Sequence, residues 1–271
     1  MNEILKYPRT RHLHGSGLQK GDEDLNVIPF AEIFGKHLVI EDKIDGANTG
    51  ISFSDDCELL LQSRGHYLKG GDWPEFDMFK LWGNTFKSEL FDILSDRYIM
   101  YGEWMYAFHS VFYDNLPHYF MEFDIFDRVN EVFLDTPSRR KITSQCAANI
   151  ESVKVVGTGA YETEESILSL LDKSSFITPS AVNHLELAAK ETGMAEDDIE
   201  LIKKLNSDGL MEGLYVKWEE DGIVKGRYKF VRSNFVQTIL DYGKHWTDRP
   251  TIPNMLADSR NIFETGETGR E

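Results

Sequence analysis

The chain has 271 residues, of which 41% are hydrophobic and 12% aromatic, and its formal net charge is −17. This length and composition exclude a disordered chain and allow one large globular domain or two small ones. The sequence lacks both an apolar run of about 18 residues, which a membrane span requires, and the apolar core of a signal peptide. Cys57 and Cys146 lie in unrelated contexts. We therefore expect reduced packing cysteines and a cytoplasmic protein.

The acidic charge argues against a nucleic-acid partner unless the cations are concentrated in one place. Five cations fall within sixteen residues of each other: Lys217, Lys225, Arg227, Lys229 and Arg232. A local basic cleft that holds phosphates weakly, and in a salt-dependent way, is therefore compatible with this composition.

Residues 1–30 contain two histidines, followed by Gly15 and Gly17, and are predicted to form an irregular loop. His12 and His14 could be a metal pair, but no third ligand is evident nearby, so a plain loop is favoured. The apolar run His37-Leu38-Val39-Ile40 then predicts a short buried strand.

The strand leads into the stretch around which the chain is organised, Glu41-Asp42-Lys43-Ile44-Asp45-Gly46-Ala47-Asn48. A lysine at a strand end, before an Asp-Gly turn, places one amine at the edge of a sheet. Such an amine attacks an electrophile when neighbouring cations or a metal lower its pKa, because only the neutral form is nucleophilic. Taken alone the motif is weak evidence, and a hairpin with a surface lysine is the alternative.

Alternating residues predict a hairpin over 49–65, which would bring Arg64 back near Lys43. Apolar residues at three- and four-residue steps, from Phe76 to Ile93, predict a helix that packs on the core through an aromatic stripe.

Two more strands are predicted over 98–104, which ends at Glu103 and Trp104, and over 118–127. The second alternates aromatic and acidic residues, which is typical of a strand with a core face and a wet cleft face.

Residues 136–207 are predicted to be mainly helical. Thr136 caps a helix that runs to Ala148, a brief strand follows at 153–156, and three helices occupy about 163–173, 179–191 and 195–206. We interpret this segment as a helical insertion in a core of about 25–135 and 208–245.

The core resumes with two strands, 211–218 and 223–231, in which Arg227 and Lys229 share one face. A helix from Ser233 to Tyr242 and a polar, mobile tail over about 246–271 complete the prediction.

Six short motifs stand in a distinctive order: Lys43-x-Asp45-Gly46-x-Asn48, Ser63-Arg64-Gly65, Tyr101-Gly102-Glu103, Phe123-Asp124-Ile125, Glu212-Gly213-x-x-Val216-Lys217 and Arg227-x-Lys229. In this order they resemble the covalent nucleotidyltransferases, and most closely the ATP-dependent RNA ligases of the RNA ligase 2 type. The similarity covers about residues 37–232. Together the six motifs are highly specific, although each alone is not.

The resemblance implies a single α+β adenylyltransferase domain over 1–271, with two antiparallel sheets around an ATP cleft and no C-terminal barrel. It implies ATP as the nucleotide, Mg²⁺ or Mn²⁺ as the cofactor and RNA ends, nicked or bridged in a duplex, as partners. The implied reaction has three steps: a lysine takes AMP from ATP, AMP passes to an RNA 5′-phosphate, and a 3′-hydroxyl displaces AMP.

By position, Lys43 matches the nucleophile and Phe123 the aromatic residue that stacks on adenine. Arg64 and Glu103 match residues that hold the nucleotide sugar and the nucleic-acid phosphate. Glu212 matches the acid that is tied to the metal through water. The resemblance also implies that three cations surround the α-phosphate, namely Lys217, Arg227 and Lys229.

Three positions carry further information. Asn48 is the residue found in RNA ligases of this type, where DNA ligases and capping enzymes usually have arginine. Asp42 stands where the family often has glutamate beside the nucleophile, and Arg227 replaces the first of two lysines. Arginine keeps the charge but changes the geometry.

The chemistry of these residues fits the resemblance, because attack on an α-phosphate needs a neutral amine and cations that spread the developing charge. We expect the cations around Lys43 to lower its pKa by like-charge repulsion. A DNA ligase or a GTP-using capping enzyme is the alternative, although both usually carry a barrel after the last motif. From another class, the chain could be an inactive RNA-binding module of the same fold.

Overall fold

The computed structural model describes residues 4–18, 26–71, 74–235, 250–258 and 260–265. Its strands are β1 (Arg11–His12), β2 (His37–Lys43), β3 (Ala47–Phe53), β4 (Leu59–Ser63), β5 (Tyr98–Trp104), β6 (Phe120–Asp127), β7 (Val132–Phe133), β8 (Glu151–Ser152), β9 (Val155–Ala160), β10 (Gly213–Glu220) and β11 (Ile223–Val231). Its α-helices are α1 (Asp77–Thr85), α2 (Lys87–Leu94), α3 (Thr136–Thr143), α4 (Glu164–Leu168), α5 (Ala181–Glu191) and α6 (Glu196–Leu205).

The strands form two mostly antiparallel sheets, which confirms the predicted α+β class. The first sheet has the order β1-β11-β10-β2-β9, and the second has the order β4-β3-β5-β6-β7 with β8 beside β6. Only the short strands β1 and β8 run parallel to their neighbours. None of the helices in the described residues is long and apolar enough to cross a membrane.

The first sheet owes its orientation to the alternation in β2 and β10. Leu38 and Ile40 of β2 are buried in one core with Leu214 and Val216 of β10. Since successive side chains of a strand point to opposite faces, Lys43 lies on the other face, where the charged residues gather.

The second sheet packs against the aromatic stripe of α1 and α2. The sequence predicted one helix here, but the chain turns at Phe86, which ends α1 and begins α2. The predicted stripe is nevertheless confirmed, because Phe79, Trp82 and Leu90 are fully buried in the core of this sheet.

Residues 136–207 are less helical than predicted, and they also supply strands. β9 pairs with β2 and so extends the first sheet, while β8 pairs with β6. Asp135, rather than Thr136, caps α3 by accepting a hydrogen bond from the Ser138 amide, and Thr136 donates to Glu219 instead. A positive φ at Gly193 follows the end of α5.

The described residues near both ends of the chain pack on the core. The N-terminal segment supplies β1, and His12 is buried with its ring nitrogen bonded to Ser16. Near the other end, Asn254 is buried, and its amide nitrogen donates to the Met105 carbonyl. The sequence predicts a polar, mobile tail here, whereas Asn254 packs on the core, and most of the helix predicted from Ser233 lies outside the described residues.

Candidate active site

One pocket of about 430 Å³ lies where strand ends of the two sheets meet. β2, β10 and β11 reach it from the first sheet, and β3, β5 and β6 reach it from the second. Eight of the ten predicted site residues line it: Asp42, Lys43, Asn48, Arg64, Glu103, Phe123, Glu212 and Lys229. Lys217 and Arg227 are not among the lining residues.

The Lys43 amine forms an ion pair with Glu212, with 2.5 Å between Nζ and Oε2. Glu212 precedes Gly213, the β10 partner of Lys43 in the sheet register. The close approach of β10 and β11 requires glycine at this position, because a Cβ on Gly213 would lie 2.0 Å from the carbonyl oxygen of Phe230. The Glu-Gly motif therefore serves close packing of β10 on β11 as well as placing the acid beside the lysine.

The expected direction of the Lys43 pKa shift is wrong for the protein without nucleotide. Burial alone would lower the pKa of Lys43, but the Glu212 carboxylate, helped by Asp45 and Glu103, raises it above its usual range. None of the main influences on the Lys43 pKa is a cation, and Lys217 and Arg227 bind carboxylates elsewhere. The free protein thus holds Lys43 in its protonated form.

Two carboxyl groups beside the lysine have raised pKa values. Burial raises the pKa of Glu212 to about 7, against the lowering effect of Lys43. Burial also raises the pKa of Glu103 to about 7, against Lys43 and Arg64. Strongly shifted acids around one lysine in a pocket are typical of a functional site.

The Asp45-Gly46 turn fixes the end of β2. The Asp45 carboxylate accepts hydrogen bonds from the amides of Ser110 and Val111, at 2.7 and 3.2 Å. The Gly46 amide donates to Glu103, and a Cβ at Gly46 would lie 2.7 Å from the Trp104 carbonyl oxygen. These contacts explain the Asp-Gly pair as a device that holds the lysine's loop against β5.

The aromatic part of the pocket consists of two rings. Phe123 of β6 and Tyr215 of β10 both line the pocket, with ring centroids 6.5 Å apart and planes tilted by 37°. Phe123 was predicted from its motif, while Tyr215 was passed over as an ordinary strand residue.

Two other predicted residues of the pocket come from the second sheet, whereas Tyr215 belongs to the first. Asn48 pairs with Glu103 between β3 and β5, so their side chains share one face. Arg64 follows the end of β4, is exposed, and lowers the pKa of Glu103 through its charge. The hairpin therefore brings Arg64 back toward the Lys43 region, as predicted.

Asp42 points away from Lys43, because consecutive strand residues face opposite sides. Its carboxylate is buried and accepts a hydrogen bond from the Ser174 hydroxyl at 2.8 Å. Burial raises the pKa of Asp42 to about 6. The side chain is thus engaged with Ser174, and a direct role toward the nucleotide stays a prediction.

Lys217 and Arg227 belong to a buried ion-pair network behind the pocket. The Lys217 ammonium lies 2.8 Å from Glu41 and 3.2 Å from Asp124, and Arg227 lies 3.0 Å from Asp124. Lys217 also donates to the carbonyl of Phe123. The network fixes the strands that carry Lys43, Phe123 and Lys229.

Arg139 completes this network, and the sequence analysis missed it. Its guanidinium binds Glu122 at 2.7 Å and Glu41 at 2.8 Å, with all three side chains almost fully buried. The acidic face of β6, which the sequence predicted to line a water-filled cleft, is therefore buried, and its acids are paired with cations. The signal was present, because acids alternating with aromatic residues on a central strand require buried cations.

The histidine pair and the two cysteines do not line the pocket. Within the described ranges, no group of three or more His, Cys, Asp and Glu side chains could hold a metal ion. His14 is exposed while His12 is bonded to Ser16, and both cysteines are free thiols.

Comparison with known proteins agrees with this architecture. Structures of Naegleria gruberi RNA ligase mutants share the fold. One, with ATP and Mn, is 17% identical at a TM-score of 0.50 over 81% of this chain and 54% of its own. Another, with AMP and Mn, is 18% identical at a TM-score of 0.50 over 76% and 53%. This chain thus spans little more than half the length of those proteins. No curated protein matches it.

A comparison with protein-family models matches most of the chain. The sequence model described as RNA ligase matches residues 36–231. This range includes every strand from β2 to β11 and all six motifs. It therefore follows from a match over most of the sequence that the chain belongs to the RNA ligase family.

Proposed function

We propose that this protein is an ATP-dependent RNA ligase that joins an RNA 3′-hydroxyl to an RNA 5′-phosphate through a lysyl-AMP at Lys43. The position of the Lys43 amine carries the proposal. It lies at the end of β2 in a pocket that also gathers Glu103, Phe123, Glu212 and Lys229. A nucleophile, shifted acids, a cation and an aromatic ring in one cavity suit a nucleotide whose α-phosphate meets the amine.

In the first step Nζ of Lys43 forms a bond to the α-phosphorus of ATP, the bond from that phosphorus to the bridging oxygen breaks, and pyrophosphate leaves. In the second step an RNA 5′-phosphate oxygen attacks the same phosphorus and releases the Lys43 amine. In the third step the 3′-hydroxyl attacks the RNA 5′-phosphorus, and AMP leaves with the oxygen it gained. Each step exchanges one bond at phosphorus, so the protein's task is positioning and charge stabilisation.

Lys43 must lose a proton before it attacks, and the Glu212 carboxylate is the group that most opposes this loss. The two groups are 2.5 Å apart, and the pKa of Glu212 is already raised to about 7 by burial. A phosphate-bound cation that reduces the negative charge around Lys43 would remove the main influence that raises the pKa of the amine. The amine would then lose its proton more readily, while Glu212 remains a carboxylate.

The donor set of the pocket fits a divalent cation held mostly by the nucleotide. Mg²⁺ is usually bound through one or two carboxylates together with waters and substrate phosphates, rather than by an all-protein cage. Glu212 and Glu103 are two such carboxylates, and burial makes their charges costly without a cation. When bound, Mg²⁺ or Mn²⁺ would neutralise the triphosphate and favour departure of pyrophosphate.

The remaining pocket residues are assigned by their chemistry. Lys229 lines the pocket from β11 and supplies positive charge for the α-phosphate. Arg64 at the exposed side can bind a phosphate or ribose, and Phe123 offers a stacking face for the base. The Naegleria gruberi ligase of the same fold binds ATP or AMP with Mn, which supports the choice of ATP and a divalent metal.

A set of four nicked duplexes tests the substrate assignment. The nicks differ only in whether the 3′-hydroxyl side and the 5′-phosphate side carry ribose or deoxyribose. We expect sealing of the all-RNA nick and a stronger dependence on the 3′-side sugar, because a protein can read the 2′-hydroxyl displayed by A-form RNA.

Salt and nucleotide complete the test. Sealing should weaken steeply with salt, since a protein of net charge −17 must hold phosphates through a local basic cleft. Equal sealing of an all-DNA nick would favour a DNA ligase instead. Labelling by GTP rather than ATP would favour a capping-type enzyme.

A further inference from the structure

The N-terminal strap, which we define as residues 4–12, crosses from one sheet to the other beside the pocket. The carbonyl of Leu5 accepts hydrogen bonds from Gln62 of β4 at 2.9 Å and from Tyr101 of β5 at 2.8 Å. The end of the strap is β1, which pairs with β11 of the other sheet. Between these anchors, residues 7–10 line the pocket. The strap is therefore a wall of the site and not a surface loop.

A chain of hydrogen-bonded hydroxyl groups connects the strap to Tyr215 and Asp124. The Tyr7 hydroxyl donates to Asp124 at 2.5 Å and lies 2.6 Å from the Tyr215 hydroxyl, which lies 2.9 Å from Thr10 Oγ1. Asp124 is buried, yet Lys217 and Arg227 hold its pKa below the usual range, so it is an acceptor. The Tyr7 hydroxyl has one proton, which it donates to Asp124. Its oxygen therefore accepts a hydrogen bond from the Tyr215 hydroxyl. Tyr215 in turn accepts from Thr10.

The Tyr7 ring also contacts Phe123, the other aromatic residue of the pocket. Its centroid lies 5.1 Å from that of Phe123, in an edge-on arrangement at 74°. Tyr7 thus contacts Phe123 through its ring and Tyr215 through its hydroxyl. The rings of Phe123 and Tyr215 are 6.5 Å apart.

We propose that Tyr7 is a positioning residue for the base of the nucleotide, because it contacts both Phe123 and Tyr215, which line the pocket. This inference rests on the proposed function, since it takes the base to be the adenine of ATP. Lys43, Glu103 and Glu212 are grouped at other strand ends, where they interact with one another. Loss of the Tyr7 hydroxyl should therefore weaken base binding and spare the phosphate chemistry.

The test is the variant Tyr7→Phe, which keeps the ring and removes the hydroxyl. By calorimetry, AMP should bind about tenfold more weakly than to the wild type, the loss expected for one hydrogen bond to a charged group. Binding of inorganic tripolyphosphate, which has no base, should change by less than about twofold. In self-adenylylation the KM for ATP should rise about tenfold with kcat nearly unchanged, as expected when an interaction equally strong in the ground state and the transition state is lost.

Tyr119→Phe is the matched control, because the Tyr119 hydroxyl donates to the backbone carbonyl of Asn254 and does not line the pocket. It should leave AMP binding unchanged. If Tyr7→Phe does not fold, Thr10→Val removes the first donor of the chain and should weaken AMP binding about threefold.

The two proposals fail differently. AMP affinity equal to wild type in the folded variants, or an equal loss for tripolyphosphate, overturns the role of Tyr7 and leaves the ligase proposal intact. A wild-type protein that binds neither AMP nor ATP overturns the proposed function itself.

Discussion

Glu103→Gln should stabilise the protein at alkaline pH while it removes a predicted contact with the substrate. Burial raises the pKa of Glu103 from 4.5 to about 7. An acid whose pKa is raised by folding binds its proton more tightly in the folded state. Its contribution to stability is fully present below the unfolded pKa and is lost as the pH rises through the folded pKa. The cost of the charge is therefore felt above pH 7.

The difference between the two pKa values sets the magnitude. Each pKa unit corresponds to about 1.4 kcal/mol, so a rise from 4.5 to about 7 costs about 3 kcal/mol once Glu103 is ionised. Glutamine carries no charge at any of these pH values, and its carbonyl oxygen can still accept from the Gly46 amide. We thus expect Glu103→Gln to raise the free energy of unfolding by up to about 3 kcal/mol at pH 8, with the gain falling away toward pH 4.

Urea unfolding of the wild type and the variant at pH 4, 6 and 8 measures this directly, and taking the difference cancels the titration of groups that do not interact with Glu103. Glu191→Gln, at an exposed position of α5, is the control and should show no such trend. A Glu103→Gln protein that is equally or less stable at pH 8 would refute the reasoning, because the site would then tolerate the charge at no cost.

Two further predictions concern the charged groups around the pocket. Arg139→Met should lower the free energy of unfolding by about 3–5 kcal/mol in urea, because it leaves the buried carboxylates of Glu41 and Glu122 without their cation. Arg140→Met, at the exposed neighbouring position, is the control, and similar losses from both would contradict the network. Lys229→Ala should slow self-adenylylation by a factor of hundreds, as loss of one positioned charge does elsewhere. Arg227→Lys should be milder in the same assay, since Arg227 binds Asp124, and equal losses would show that both cations face the α-phosphate.

The regular part of the fold could be predicted because its signals are local. Hydrophobic alternation located β2, β5, β10 and β11 to within a few residues, and the Lys43 motif correctly placed the amine at a strand end. The break at Phe86 escaped notice, because the apolar spacing continues through both helices and only the backbone reveals the turn.

The pairings around the site could not be predicted, since they join residues far apart in the chain. Arg139 and Glu41 are 98 positions apart, and Tyr7 and Asp124 are 117 apart. Periodicity within one element carries no information on such contacts. For the same reason Lys217 was expected at the phosphate, although β10 presents it to Glu41 and Asp124.

The central claim is that Lys43 becomes covalently adenylylated, and labelling with α-labelled ATP and a divalent cation tests it most directly. We predict an acid-labile, alkali-stable AMP on the wild-type protein. Both Lys43→Ala and Lys43→Arg should lose it, because arginine stays protonated and cannot attack. The folded state of each variant can be checked by its urea unfolding curve. Label at the normal rate on Lys43→Ala would contradict the account, since the nucleophile would then lie elsewhere.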